Sequence, residues 1–497
     1  MVPVLLVLAC TAHVAAAFLS PTHSPPGLLA RRGQAVAPAG RRSVFATRTR
    51  MALATPKEES PAMAVLRDGI KAVGVGVKGS KPIPDDLIAP LSEVITALAK
   101  GEPSPEWATE QERIKQRACS FLGTLFVKVD LLPSDAQLLA KIADLHPEKA
   151  GVGRVREGCS SAQILAAAVG DEGSEELRAL SLKLLDGEYL SEEEAFRLGT
   201  CFFDSEELVA LKVLCIHLLR VRYETMDEWY GLVRAQQATL ATGIFPPPTR
   251  KREMGASKII QLADPFDGTN KADSFTPLLA KHLQEKWGGV AVGQSGETSG
   301  PKYGPNLYQI AHALGEGAAW LKGGLDEGAQ PPQFGWYVDQ KDASKGLTEW
   351  VGIRRNVIKR PCLATSEKFV DTHGADVIVA SAFHPSFGEK MFDIAESVSD
   401  FSACIIVRKG TEGSLCLSLS RPAEFLVGVR RTDGKMDKYQ FEFGAKDAGV
   451  TSVPEKEQQY ALTTDIIAER IKSYAATGTS GDKIFDDRVK VTCQAYD

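Results

Sequence analysis

The stretch SKIIQLADPFDGTNKADSFTPLLAKHLQEKWGGVAVGQSGETSGPKYG, residues 257 to 304, decides the fold. Ile259, Ile260 and Leu262 read as a short apolar strand that runs into the polar turn Asp264-Pro265-Phe266-Asp267-Gly268-Thr269-Asn270-Lys271. The pattern then predicts a helix from Ser274 to Trp287 and a second strand from Val290 to Val292, opening into the Gly- and Ser-rich segment Gly293 to Gly300. Loops at the carboxyl ends of successive parallel strands form the crevice where open α/β sheets bind ligands. Backbone N–H groups at a loop-to-helix junction lack helical partners and carry partial positive charge, so a phosphate sits there readily. A plain structural reading competes: Asp267-Gly268 as a tight turn and Ser274 as a helix cap. The rest of the chain has to decide between them.

With 497 residues, 44% hydrophobic and 24% charged, the chain has material for two or three globular domains. Its start reads as an address. Residues 1–17 form a short apolar run ending in Ala15-Ala16-Ala17, the pattern of a cleaved signal peptide rather than a membrane span, although the usual basic residue at its start is missing. Residues 18–50 begin with Phe18, contain Arg31, Arg32, Arg41, Arg42, Arg48 and Arg50, and precede the first acidic residue, Glu58. That is transit-peptide composition. A signal peptide joined to a Phe-led transit peptide resembles the two-part plastid address of algae with secondary plastids. The expectation is a stromal protein starting near Met51, with no membrane span in the mature chain; a secreted protein with a pro-segment is the competing reading.

Cys119, Cys159, Cys201, Cys215, Cys362, Cys404, Cys416 and Cys493 are scattered, without C-x-x-C or Cys/His ligand spacing, so neither a disulfide framework nor a zinc site is indicated. Formal net charge is -5, and -11 from Met51 onward once the six presequence arginines are set aside. That balance speaks against nucleic acid as a general partner, a local basic patch aside.

Two helical units precede the α/β part. Residues 63–150 form an extra unit and residues 178–245 a second one. In each, a helix ends at Gly-Glu, a Ser-led turn follows, and an apolar helix and a further helix come after, which suggests a diverged duplication. Ser191-Glu192-Glu193-Glu194 fits a capping box. The glycines of Gly74-Val75-Gly76-Val77-Lys78-Gly79 lack a following Gly-Lys-Ser/Thr and are read as a loop.

LLDGEYLSEEEA (Leu184 to Ala195), the apolar helix ending at Arg220 and YETMDEWYGLVRA (Tyr223 to Ala235) resemble the amino-terminal helical domain of the anthranilate phosphoribosyltransferase family, a branch of glycosyltransferase family 3. The order that follows is similar too: a linker with Pro246, Pro247 and Pro248, then an α/β domain over 255–497. The resemblance spans residues 178 to 497 and implies a helical domain plus a larger, mixed or parallel-sheet α/β domain of the nucleoside-phosphorylase/phosphoribosyltransferase kind. It implies transfer of ribose phosphate from phosphoribosyl diphosphate to an aromatic amine, as in tryptophan biosynthesis, with Mg2+ and a homodimer formed through the helical domain. On the matching positions, Asp267, Gly268, Thr269, Lys271, Ser274 and Thr276 would cradle the donor's phosphates, and Gly293, Gln294, Ser295 and Arg354 would form the acceptor-side loop.

Departures from the family are substantial. One glycine, Gly268, stands where several let the backbone approach a diphosphate. The acceptor-binding arginine falls near Thr348-Glu349, and the metal-binding acidic pair near Leu415-Cys416, leaving Glu412 as the nearest carboxylate for Mg2+. His384-Pro385 matches a Ser-Pro turn in which proline starts a helix. DDRVKVTCQAYD (Asp486 to Asp497) looks like the start of the family's last helix, cut short. These losses resemble a divergent branch, so the alternative is a catalytically degenerate member that binds a nucleotide, nucleic acid or protein partner. No catalytic residue is assigned.

Overall fold

The computed structural model describes residues 59–497 apart from 75–80, 103, 108, 129–130, 146–154, 157–158, 241–257, 301, 324, 326–329 and 452–462. The presequence, most of the Gly-rich loop after Gly74 and the proline linker lie outside the described residues.

Nine longer helices form the amino-terminal half. They are α1 (Pro61–Val73), α2 (Asp85–Lys100), α3 (Gln111–Val127), α4 (Pro133–Leu145), α5 (Ser161–Val169), α6 (Glu175–Leu185), α7 (Glu192–Phe203), α8 (Val209–Arg222) and α9 (Met226–Ala238) among the described residues. The α7 and α9 starts carry complete capping boxes, Ser191 with Glu194 and Thr225 with Glu228. Each is worth about 1 kcal/mol to its helix. Helices α2 and α6 end at Gly101 and Gly187, with φ +68° and +80°, in the left-handed turn that stops a helix. Helices α2, α3 and α4 follow one another as α6, α8 and α9 do, with only the short turn Pro105–Trp107 in the place of α7. The front unit is not a separate body. Buried α3 lies along α8 so closely that a Cβ on Gly123 would overlap the Leu214 side chain, and both units share one apolar core.

The carboxyl-terminal half holds a sheet of eight strands: β1 (Ile259–Ala263), β2 (Val290–Ser295), β3 (Ala319–Leu321), β4 (Trp336–Asp339), β5 (Val377–Ala382), β6 (Ala403–Arg408), β7 (Ala423–Arg430) and β8 (Met436–Phe443). Their order is β8-β7-β6-β5-β1-β2-β4-β3, parallel from β6 through β3, with β7 and β8 added antiparallel at one edge. Strands β1, β2, β5 and β6 are buried along their whole length, hence their run of apolar residues instead of alternation. Helices α10 (Thr276–Trp287), α11 (Leu307–Leu314), α12 (Lys345–Ile353), α13 (Pro385–Ser397), α14 (Thr464–Thr477) and α15 (Lys483–Ala495) complete this half. The fold class is the expected one, a helical half followed by a mixed α/β half. No helix among the described residues is long and apolar enough to cross a membrane.

Topology fixes where a ligand crevice lies. The chain leaves β1 toward β2, then crosses back to β5 on the other side of β1. The strand order therefore reverses between β1 and β5, and this is the switch point at which such sheets open a crevice beyond their carboxyl ends. The crevice expected between β1 and β2 is displaced by one strand.

Some boundaries differ from expectation. β2 runs on to Ser295, so Gly293, Gln294 and Ser295 are strand residues and not a loop. Helix α10 starts at Thr276 with Pro277 in its first turn, and Phe275 precedes it without a side-chain cap, so Ser274 is no N-cap. The apolar run Leu415 to Val429 reads as strand-like, and the strand itself begins only at Ala423.

Candidate functional site

The turn after β1 does make an anion nest, and the chain fills it itself. The amides of Asn270 and Ala272 donate to the Glu412 carboxylate at 3.0 and 3.2 Å, and the amide of Lys271 between them bonds the same oxygen. The Lys302 ammonium stands 3.4 Å from that carboxylate and donates to the Glu412 and Gly268 carbonyls at 2.9 and 3.2 Å. Glu412 adopts a left-handed backbone, φ +53°, costly for a non-glycine residue and held by these bonds. An oriented row of backbone donors is what a phosphate needs; here a carboxylate occupies it.

Gly268 closes the turn from the other side. At φ +72° it packs against the segment Gly304-Pro305, where a Cβ would overlap both carbonyl oxygens. The Thr269 amide donates to the Pro305 carbonyl at 3.0 Å and the Gly304 amide to the Asp267 carbonyl at 3.1 Å. The glycine is thus required by its own backbone neighbours. Ser274 and Thr276 lie behind the turn, where both hydroxyls donate to the Asp264 carboxylate, which also receives the Leu415 amide at 2.8 Å. Burial raises the pKa of Asp264, and these donors offset part of that. The Lys271 side chain is exposed.

Of the acceptor-side residues, Gly293, Gln294 and Ser295 are consecutive in β2, whereas Arg354 lines a different cavity. Gly293 sits under the Tyr337 ring, with Leu307 beside it. Gln294 donates to the Val370 carbonyl and to Thr372 Oγ1 at 3.2 Å, and Ser295 Oγ receives the Tyr308 amide at 3.1 Å. All three are interior strand residues. The cleft beside Gln294 and Ser295 has a volume of about 10 Å³, room for one water at most.

Mg2+ finds no ligand set here. Leu415 and Cys416 are fully buried, the Cys416 sulfur receives the Phe275 amide at 3.2 Å, and Glu412 is committed to the nest. Among the described residues no group of three or more His, Cys, Asp or Glu side chains is placed to hold a metal.

An open cavity of about 230 Å³ lies at the β1/β5 switch point. Its floor is the segment after β1 (Pro265 to Asp267) and the end of β5 (Ser381, Ala382). One wall is the segment that follows α12, and the roof is the end of α8 with Arg220 and Glu224. Four cationic side chains line it: Arg220, Arg354, Arg360 and Lys368. Arg354 forms a two-pronged bond with buried Glu367 and reaches Ser299 Oγ at 3.3 Å. Arg360 pairs with Asp267, the one member of the predicted donor set that faces this cavity. Lys368 donates to the Ser381 carbonyl and hydroxyl at 2.5 and 3.1 Å, and burial pushes its pKa down to about 8.

After burial, the charges of Arg220 and Lys71 depress the Lys359 ammonium, and burial together with Lys359 and Arg220 pushes His217 down to about 3. Carboxylates stand among these cations: Glu367 on Arg354, Asp267 on Arg360, and Glu224 on the wall. His384 precedes α13 with Pro385 in the first turn, as expected, and stands at the rim.

Sequence reasoning missed Arg360, Lys368 and Glu224 as site residues. The run KRPCLATSEKF, residues 359 to 369, carried a signal: basic residues interleaved with apolar ones beside an X-Pro step.

No protein-family model matches the chain. An uncharacterized protein of Aquifex aeolicus is 25% identical over 244 residues, covering 49% of this chain and 69% of that protein. Among solved structures, the anthranilate phosphoribosyltransferase of Thermus thermophilus is 16% identical over 65% of this chain and 96% of its own, with a TM-score of 0.40. The Saccharomyces cerevisiae anthranilate phosphoribosyltransferase in complex with PRPP and Mg is 13% identical over 64% of this chain and 87% of its own, with a TM-score of 0.46.

Proposed function

We propose that the protein binds a small phosphorylated ligand in the switch-point cavity, as a chain of pentosyltransferase-like architecture whose diphosphate turn is closed by its own carboxylate. The observation that carries this reading is the convergence of Arg220, Arg354, Arg360 and Lys368 on one open cavity while Glu412 fills the nest after β1. Positive groups in a partly enclosed site bind a phosphate more strongly than they would in open water.

A second reading, transfer of ribose phosphate from phosphoribosyl diphosphate to an aromatic amine such as anthranilate, keeps one observation in its favour. The amides of residues 270 to 272 do converge on a single anion, so a diphosphate that displaced Glu412 would find donors in place. The resemblance also implies Mg2+, but Leu415 and Cys416 stand where its acidic ligands would be and Glu412 is committed to the nest, so no step is assigned to the ion. Delivery to the plastid stroma and pairing of copies through the helical half belong to this reading and rest on the presequence composition and the resemblance.

Calorimetric titration separates the two. Inorganic phosphate is expected to bind the wild-type protein, and Arg360→Ala to weaken it by about ten-fold or more, the worth of one charge-assisted hydrogen bond. Undiminished binding in Arg360→Ala, together with phosphoribosyl diphosphate binding that responds only to changes at residue 412, would favour the transfer reading.

A further inference from the structure

We infer that Glu224 selects, among phosphomonoesters, those that carry neighbouring hydroxyl groups, and that its two carboxylate oxygens hold the hydroxyl pair. The inference rests on the cavity reading above. Glu224 follows the sharp turn at Tyr223, whose φ is +64°, and the turn brings its side chain to the cavity wall. It is 4% exposed, and neither carboxylate oxygen has a hydrogen-bond partner outside its own residue.

A buried carboxylate in that state costs free energy, and such groups in native proteins ordinarily have a partner. The other acid on the cavity wall, Asp267, already has Arg360. Nearby cations do not satisfy Glu224 either. The Lys390 ammonium donates to the Glu224 backbone carbonyl at 3.1 Å, and the Arg220 guanidinium lies over the Tyr223 ring, 5.8 Å from its centroid. Those two cations also decide the kind of donor that fits. A ligand ammonium would enter beside them as a third positive charge, whereas hydroxyls donate without charge. Two adjacent hydroxyls match two free oxygens, the way a carboxylate holds a ribose hydroxyl in dinucleotide sites. With the phosphate at Arg360 and Lys368, a volume of about 230 Å³ suits a phosphorylated polyol of a few carbons. It is below the ordinary range of roughly 300–1,000 Å³ for larger ligands, so a small ligand fits it best.

The test compares glycerol 3-phosphate with propyl phosphate, which share a carbon skeleton and differ by two hydroxyls. Calorimetry on the full chain should give glycerol 3-phosphate an affinity at least about ten-fold higher, and Glu224→Gln should shrink that ratio to about three-fold or less while leaving propyl phosphate nearly unchanged. Circular dichroism of Glu224→Gln checks its folding; if it does not fold, the wild-type ratio decides alone. Equal binding of the two esters, or a ratio that persists in Glu224→Gln, would overturn the inference and leave the cavity reading standing. Failure of both esters and of inorganic phosphate to bind would overturn both.

Discussion

Two places in this molecule are built for an anion, and they differ in who supplies it. After β1, three successive amides meet a carboxylate of the same chain, with Lys302 behind it. One strand away, at the β1/β5 switch point, arginine and lysine side chains face an open cavity. The first site uses backbone donors, which have little freedom to rearrange and so accept any well-placed anion. The second uses side chains already held by partners such as Glu367, Asp267 and Ser381, which positions them before a ligand arrives. The nest is thus closed by the chain itself, and the cavity is the place left for a ligand.

The strongest way to break the comparison is at Arg354. Arg354→Met leaves Glu367 buried and without its cation, and should cost about 3–5 kcal/mol of stability, read as a shift in urea midpoint. Gly268→Ala comes next, at roughly 2–4 kcal/mol, because an added Cβ meets backbone and the backbone φ is positive. If Gly268 served a ligand instead of Gly304 and Pro305, the substitution would spare stability and abolish binding. Glu412→Ala should cost about 1–3 kcal/mol and add a second phosphate site at the emptied amides, seen as a change from one to two sites by calorimetry. A stoichiometry that stays at one would mean the nest has no affinity of its own.

The smallest effect is a pH dependence. Burial lowers the Lys368 pKa to about 8, so its ammonium is present below that pH and lost above it. Anion affinity should therefore fall as pH rises through about 8, and Lys368→Met should remove that fall. An unaltered profile in the variant would place the ligand elsewhere.

Much of the scaffold was legible from local pattern. The capping box at Ser191, the strand–helix–strand unit from Ile259 to Ser295 and Pro385 at the start of α13 all follow from spacing within a few residues. The errors came from distance. Glu412 and Asn270 are 142 positions apart, and Arg360 and Asp267 are 93, so neither pairing leaves a mark in a local window. Gly293 to Ser295 look like a loop because glycine and serine end most strand patterns, yet Tyr337 fills the space a Cβ would take and the strand continues. Ser274 and Thr276 had the right chemistry for a phosphate, and the buried Asp264 carboxylate claimed it first.

The central claim is that the nest is closed and the cavity is open to ligand. A crystal structure of the protein soaked in glycerol 3-phosphate tests it directly. Phosphate density is expected beside Arg360 and Lys368, with the Glu412 carboxylate still on the amides of residues 270 to 272. Phosphate on those amides, with Glu412 swung away and the cavity empty, would contradict it.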